Sequence, residues 1–228
     1  MKEKEILRKL KEKTVFNLLD MQRILGSSKQ YAKIALNRLL KRGEIKRIKK
    51  NSYTMYDDVF VVSTNIIYPG YLSFWSASSY KGYTEQILKD VQVACLKKIK
   101  DISLENYRIE FIKVNSVFGY EKIKTNLGEM FVAIDEKLII DSLEHQEKMG
   151  NFDEIEKLIR NSKIDKEKMV DFLARNKNSS TVKRAGYLLE KLKKIDLSKE
   201  FSLDKNYVVL NKFSKKSKET NSKWRVKI

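Results

Sequence analysis

One stretch constrains this chain more than any other: Ser27–Tyr56, SSKQYAKIALNRLLKRGEIKRIKKNSYTMY. Ala32, Ala35, Leu36, Leu39 and Leu40 recur at helical spacing and make one apolar stripe. Ser27 or Ser28 stands where a helix N-cap belongs, because a hydroxyl there accepts a backbone N–H of the first turn. Gly43 follows the last periodic residue, the usual place for a helix to stop. Two β-like runs come next, Glu44–Ile48 and Ser52–Tyr56, joined at Lys49-Lys50-Asn51, where Asn tolerates the left-handed conformation of a tight turn. A helix, a glycine stop and a basic hairpin form the second half of a winged helix-turn-helix.

The first half precedes it. Residues 2–12 read as a helix with Ile6, Leu7 and Leu10 inward, Val15-Phe16 as a short connection, and Asn17 as the cap of a helix over Leu18–Leu25 that ends at Gly26. Only Gly26-Ser27 separates that helix from the one over 28–42, a spacing typical of helix-turn-helix units. Residues 1–58 are therefore expected to be a complete winged helix-turn-helix domain.

Charge points the same way. The chain carries a net +18, and residues 1–58 hold 16 Lys/Arg against 7 Asp/Glu, whereas 59–140 hold 10 against 9. Residues 141–200 hold 14 against 12, and 201–228 hold 8 against 2. A basic module on a nearly neutral body fits a polyanion partner. Off the apolar stripe of the third helix lie Lys29, Gln30, Lys33 and Asn37, suited to base edges in a major groove, with Ser27 and Ser28 on phosphate. Lys46, Arg47, Lys49, Lys50 and Asn51 would place the wing on the backbone or in the minor groove. The alternative is a module of the same shape that docks on a protein.

Beyond residue 58 the expected fold is α+β: an α/β domain over 59–200 with a helical C-terminal part, then a basic tail over 201–228. Val59–Ser63 reads as a β-type run, and Pro69-Gly70 as a turn. Ser73 is placed as the cap of a helix over Phe74–Lys81. Val91–Leu96, Tyr107–Lys113 and Met130–Ile134 are β-branched and aromatic enough for strands. Asp135 is read as the cap of a helix over Glu136–Glu144, with helices at Phe152–Arg160, Lys166–Ala174 and Thr181–Leu192. The tail from Lys212 is expected to be mobile as far as Trp224, either solvated or serving as a second phosphate-binding arm.

Catalytic chemistry finds no foothold. The one histidine, His145, has no nucleophile or orienting partner in a recognisable context. Gly26-Ser27-Ser28 resembles the Gly-Ser of nucleotidyltransferases, but the window where their carboxylates belong reads Leu36-Asn37-Arg38-Leu39-Leu40. Asp135, Glu136 and Asp141 around one helix are better explained by helix capping than by a metal. The one cysteine, Cys95, falls in an apolar strand and excludes an internal disulfide. No cofactor, no metal and no membrane association is expected, and no signal peptide is visible, so the expected location is the cytoplasm.

Three motifs carry a resemblance. Tyr71–Tyr80 followed by Lys81-Gly82-Tyr83-Thr84-Glu85-Gln86 resembles the SxWSALSYYGLTEQ signature of AbiEi-type antitoxins of bipartite abortive-infection toxin–antitoxin systems. Val132-Ala133-Ile134-Asp135-Glu136-Lys137, with Asp141 after it, resembles that family's IADPEKA and LLD, and Arg184–Glu190 (RAGYLLE) its RLGYLLE. The match runs over about residues 3–195. It departs at Ile134-Asp135-Glu136, which lacks the family's proline, at Ser78 in place of leucine, and at Asn51-Ser52, where relatives often carry glycine. The resemblance implies a non-enzymatic transcriptional autoregulator. Its winged helix would bind double-stranded DNA repeats in its own promoter, and its second domain would counter a nucleotidyltransferase-like toxin, directly or functionally. Trp75, Tyr80 and Tyr83 of the first motif are expected to serve as core and helix-docking groups.

Overall fold

The computed structural model describes residues 3–86, 88–214 and 219–228 and is of the mixed α+β class. It comprises two compact units that share the chain piecewise. The first takes Met1–Leu72, Lys89–Lys113 and Lys122–Phe131; the second takes Ser73–Leu88, Val114–Glu121 and Val132–Ile228. The junction expected at residue 58 thus falls inside the first unit, and the expected tail belongs to the second.

The first unit opens with α1 (Glu3–Lys11), α2 (Leu18–Leu25) and α3 (Lys29–Lys41), then the antiparallel hairpin β1 (Lys46–Lys49) and β2 (Ser52–Thr54). Asn17 builds a reciprocal cap on α2. Its Oδ1 accepts the Leu19 and Asp20 N–H groups at 2.8 and 3.1 Å, while the Asp20 carboxylate accepts the Asn17 N–H at 2.9 Å. Gly26 ends α2 at φ 58°, a left-handed conformation that costs glycine little. Phe16, read only as a connection, exchanges both backbone hydrogen bonds with Tyr53 and so adds a third rung beside the hairpin. Leu10, Phe16, Met21, Ala32, Leu36, Leu39 and Ile45 form one buried cluster that holds these elements together.

Val59–Ser63 is not a strand. It lies in a helix, α4 (Val59–Thr64). Asp58 accepts the Phe60 and Val61 N–H groups at 2.8 and 3.1 Å, and Thr64 and Asn65 side chains satisfy carbonyls at the other end. With Val59, Val61 and Val62 buried, capping and packing outweigh the slight helix cost of β-branched residues.

After α4 come β3 (Gly70–Leu72), β4 (Asp90–Cys95), β5 (Ile102–Leu104), β6 (Tyr107–Lys113), β7 (Tyr120–Thr125) and β8 (Gly128–Ala133), in one sheet of order β5-β6-β4-β3-β8-β7. β4 runs parallel to β6, while β3 and β5 are antiparallel to their neighbours β4 and β6. Cys95 is buried in β4, as its apolar setting suggested. The strands expected at 91–96, 107–113 and 130–134 are present. β3, β5 and β7 were not anticipated.

The second unit is mainly helical: α5 (Phe74–Tyr80), α6 (Asp135–Glu144), α7 (Phe152–Asn161), α8 (Lys166–Asn176) and α9 (Ser179–Lys193). α6 is its centre, buried along nine of its ten residues. The cap of α6 is Ile134 rather than Asp135, and Ser73 gives α5 no side-chain cap bond. Asp135 and Ser73 are used elsewhere, as described below.

The C-terminal segment folds. Three short strands, β9 (Val208–Val209), β10 (Thr220–Asn221) and β11 (Val226–Lys227), form a sheet of order β10-β11-β9. Trp224 is 1 % exposed, lies against Gly186 of α9, and donates its indole N–H to Glu190. The expectation of a chain mobile up to Trp224 fails over its described part, and a buried indole cannot stack on a base. Residues 215–218 of that expectation lie outside the described residues.

Candidate nucleic-acid interface

The candidate interface is built by α3 and the β1–β2 turn. Of the two candidate caps, Ser28 starts α3: its Oγ accepts the Tyr31 N–H at 3.3 Å. The Ser27 hydroxyl is buried without a partner among the described residues. Ala32, Leu36 and Leu39 turn α3 toward the core. That turns Gln30 and Asn37 outward and leaves Lys29 and Lys33 on the flank of the buried stripe; all four are exposed. None of the four side chains has a hydrogen-bond or ion-pair partner among the described residues. α3 contains no acidic residue, so nothing on the helix offsets its cations.

The same face carries two residues absent from the sequence-derived set. Arg38 is exposed, and Ile34 is 48 % exposed at the middle of the outward face, on the line of Gln30 and Asn37. Ile34 was legible in principle: it stands two positions from both Ala32 and Leu36, away from the apolar stripe. Tyr31, 52 % exposed, flanks it.

In the hairpin the candidates divide. Arg47, Lys49 and Lys50 are exposed, and among the described residues the only polar contact of their side chains is Arg47 Nε donating to the Lys49 carbonyl at 3.4 Å. Asn51 supplies the left-handed turn residue at φ 58°. Its Oδ1 accepts the Leu18 N–H at 3.1 Å, which ties the hairpin tip to the first turn of α2. Lys46 is committed internally. Its ammonium sits between the Asp57 and Glu105 carboxylates, which raise its pKa, and so contributes less free charge than its neighbours. The arrangement offers polyanions a set of exposed cations that have no acidic partner among the described residues, and offers base edges two amides and one aliphatic side chain.

The carboxylates considered for a metal serve the second unit instead. Asp135 accepts from Lys81 Nζ, Tyr83 Oη and the Lys163 N–H, each at 2.8 Å. Burial opposes its ionisation, but these three donors together hold its pKa below the usual carboxylate value. Burial and the Asp135 charge push the Tyr83 phenol well above its ordinary range. Glu136 accepts the Asp165 N–H at 2.8 Å. Asp141 is fully buried, paired with Lys137 at 2.7 Å, and accepts from Ser73 Oγ at 2.8 Å. The first two motif stretches thus meet through Ser73–Asp141 and through Lys81 and Tyr83 on Asp135. Trp75 packs on Gly150, Tyr83 docks on Asp135, and Tyr80 stays 38 % exposed. His145 lies edge-on to Phe74, with its Nδ1 3.3 Å from Glu147.

Among the described residues, no helix is long and apolar enough to cross a membrane. No family model and no curated protein matches the chain. Among solved structures, it is similar to the crystal structure of RV2827C protein from Mycobacterium tuberculosis, with a TM-score of 0.61 and 11% identity. The likeness covers 98% of this chain and 89% of that one, and shows a shared α+β fold over nearly its whole length.

Proposed function

We propose that residues 1–58 are a winged helix-turn-helix that binds double-stranded DNA. In this reading the chain is an AbiEi-type antitoxin that represses its own toxin–antitoxin promoter and is not an enzyme. The observation that carries the DNA reading is the solvent-exposed surface of α3, where Lys29, Gln30, Lys33 and Asn37 have no side-chain partner among the described residues, on a helix without acids. α3 enters the major groove, and Arg47, Lys49 and Lys50 hold phosphate from the hairpin. Ser28 caps α3, and Asn51 and Lys46 fix the hairpin; these three position the contacts. The antitoxin half rests on the motif resemblance, whose first two stretches are bonded to each other through Ser73–Asp141 and through Lys81 and Tyr83 on Asp135. There the target would be a nucleotidyltransferase-like toxin.

The test is a titration on DNA from directly upstream of the chain's own gene, against scrambled DNA, at two salt concentrations. Tight, sequence-dependent binding that weakens steeply with salt is expected, because neutralised phosphates release counterions. Lys29→Glu with Lys33→Glu should abolish it without unfolding the protein; unchanged affinity would refute the assignment of α3. A protein-docking module is the second reading, favoured by the apolar Leu19, Tyr31 and Ile34, each about half exposed. It calls for a shallow salt slope and no preference between the two DNAs.

A further inference from the structure

Tyr31, Ala35 and Arg38 lie one above another on α3, at i, i+4 and i+7, on the flank away from Lys29 and Lys33. Between that flank, α1 and α2 is a cavity of about 270 Å³. Its floor is Met21 and Leu39, both buried, with Ile6 and Leu25 beside them. Ala35 lines the same cavity and, carrying only a methyl, leaves room between Tyr31 and Arg38. Those two are exposed at its rim, about 10 Å apart along the helix axis.

The charges around the cavity do not cancel. Arg42 also lines it, but its guanidinium is taken: it holds Glu3 of the lining at 2.6 Å and Glu44, outside the lining, at 3.0 Å. Arg38 has no acidic partner among the described residues, and neither its side chain nor the Tyr31 hydroxyl makes a hydrogen bond among them. Two arginines against one glutamate leave the described lining with one positive charge in excess, and it falls on Arg38. Apolar walls with a few convergent polar groups are the make-up of a small-molecule pocket: the walls take the body of the ligand and the polar groups fix its charged end. The volume lies just below the roughly 300–1,000 Å³ of pockets for drug-sized ligands, which limits the body to one ring or a short chain. One negative charge balances the excess, and a carboxylate matches the planar fork of a guanidinium with two oxygens.

We propose that the cavity between α1, α2 and α3 binds a small organic acid. Its apolar body rests on Met21, Leu25 and Leu39, its carboxylate pairs with Arg38, and the Tyr31 ring flanks the body. The site belongs to the first unit alone and does not depend on whether α3 binds DNA.

The experiment titrates sodium benzoate and sodium hexanoate into the full chain by calorimetry, with the rise in Tm read alongside. Benzyl alcohol and hexanol supply the same bodies without the charge, and sodium acetate the charge without the body, all at matched ionic strength. Saturable binding of at least one of the two acids is expected, at least tenfold tighter than its alcohol and than acetate. Arg38→Gln, at an exposed position, should weaken it at least tenfold, and Ala35→Leu, which fills the cavity, should abolish it. If Ala35→Leu does not fold, Arg38→Gln alone decides. Lys33→Gln, on the other flank of α3, should leave the affinity unchanged, which separates a seated acid from anions gathered by net charge. Saturation by neither acid, equal binding of an acid and its alcohol, indifference to Arg38→Gln, or survival of binding in folded Ala35→Leu would overturn the proposal. So would equal losses in Lys33→Gln and Arg38→Gln.

Discussion

Replacing Gly186 by alanine tests how the C-terminal strands are locked onto α9. In an exposed helix interior this change would stabilise by about 1 kcal/mol, because alanine gives up less backbone freedom. Here a Cβ would lie 2.0, 2.3 and 2.4 Å from three ring carbons of Trp224. The indole has nowhere to retreat: it is 1 % exposed, its N–H is bonded to Glu190, and its backbone N–H is bonded to Asn221 at 2.9 Å. Overpacking a tight core costs about 1–3 kcal/mol, and contacts this short belong at the upper end. The net expectation is a loss of about 2 kcal/mol, or roughly 4–8 °C in Tm for a chain of this size. Trp224→Ala alone should cost about 3–5 kcal/mol. In that background the methyl enters the vacated space, so Gly186→Ala should become stabilising by about 1 kcal/mol, a coupling of about 3 kcal/mol between the two sites. Scanning calorimetry on the four proteins of the cycle measures it. The same sign and size of effect in both backgrounds would refute the packing argument.

Two further outcomes follow from single residues. Asp135 has a folded pKa below its unfolded value, so its contribution to stability is full above about pH 4 and lost as pH falls through the folded value. Urea midpoints measured from pH 6 down to pH 2 should therefore fall less steeply in Asp135→Asn than in the parent; parallel curves would remove Asp135 from the acid-sensitive groups. Ile34→Ala should change stability by less than about 0.5 kcal/mol, as at most surface positions away from special features, yet weaken binding to the upstream DNA. An unaltered DNA affinity would take Ile34 out of the contact surface.

What could be read from the residues and what could not divides along the range of the interactions. α2 and α3 were legible because Asn17, Gly26 and Ser28 act within one turn of themselves, and the Ala32–Leu36–Leu39 stripe needs only helical periodicity. α4 was misread because Val59–Val62 has strand-like composition, while the deciding signals were the Asp58 cap and the Thr64 and Asn65 side chains that close its other end. β3 and β5 are three residues each and exist through their neighbours in the sheet. The same limit hid the partners of the candidate site. Nothing near Lys46 announces Glu105, 59 residues away. Trp224 lies against Gly186 from the far side of β9 and β10 in the chain. The cations of α3 were visible precursors of the candidate surface; whether each stays unpaired was a question of tertiary structure.

The piecewise sharing of the chain bears on how such a protein can be varied. The chain passes between units after residues 72, 88, 113, 121 and 131, so no single cut in the later part releases an intact half. Limited proteolysis there should yield interlocked pieces that leave a column together, not two separable fragments. The opening segment is different. Residues 3–55 are contiguous and carry their own buried cluster, and Lys46 pairs with Glu105 to join the hairpin to the turn after β5. A gene fusion made just after Thr54 would part Met55 from that cluster, the Tyr56 hydroxyl from the Lys11 carbonyl at 2.6 Å, and Lys46 from Asp57 and Glu105, so a different head grafted at that seam must rebuild those contacts.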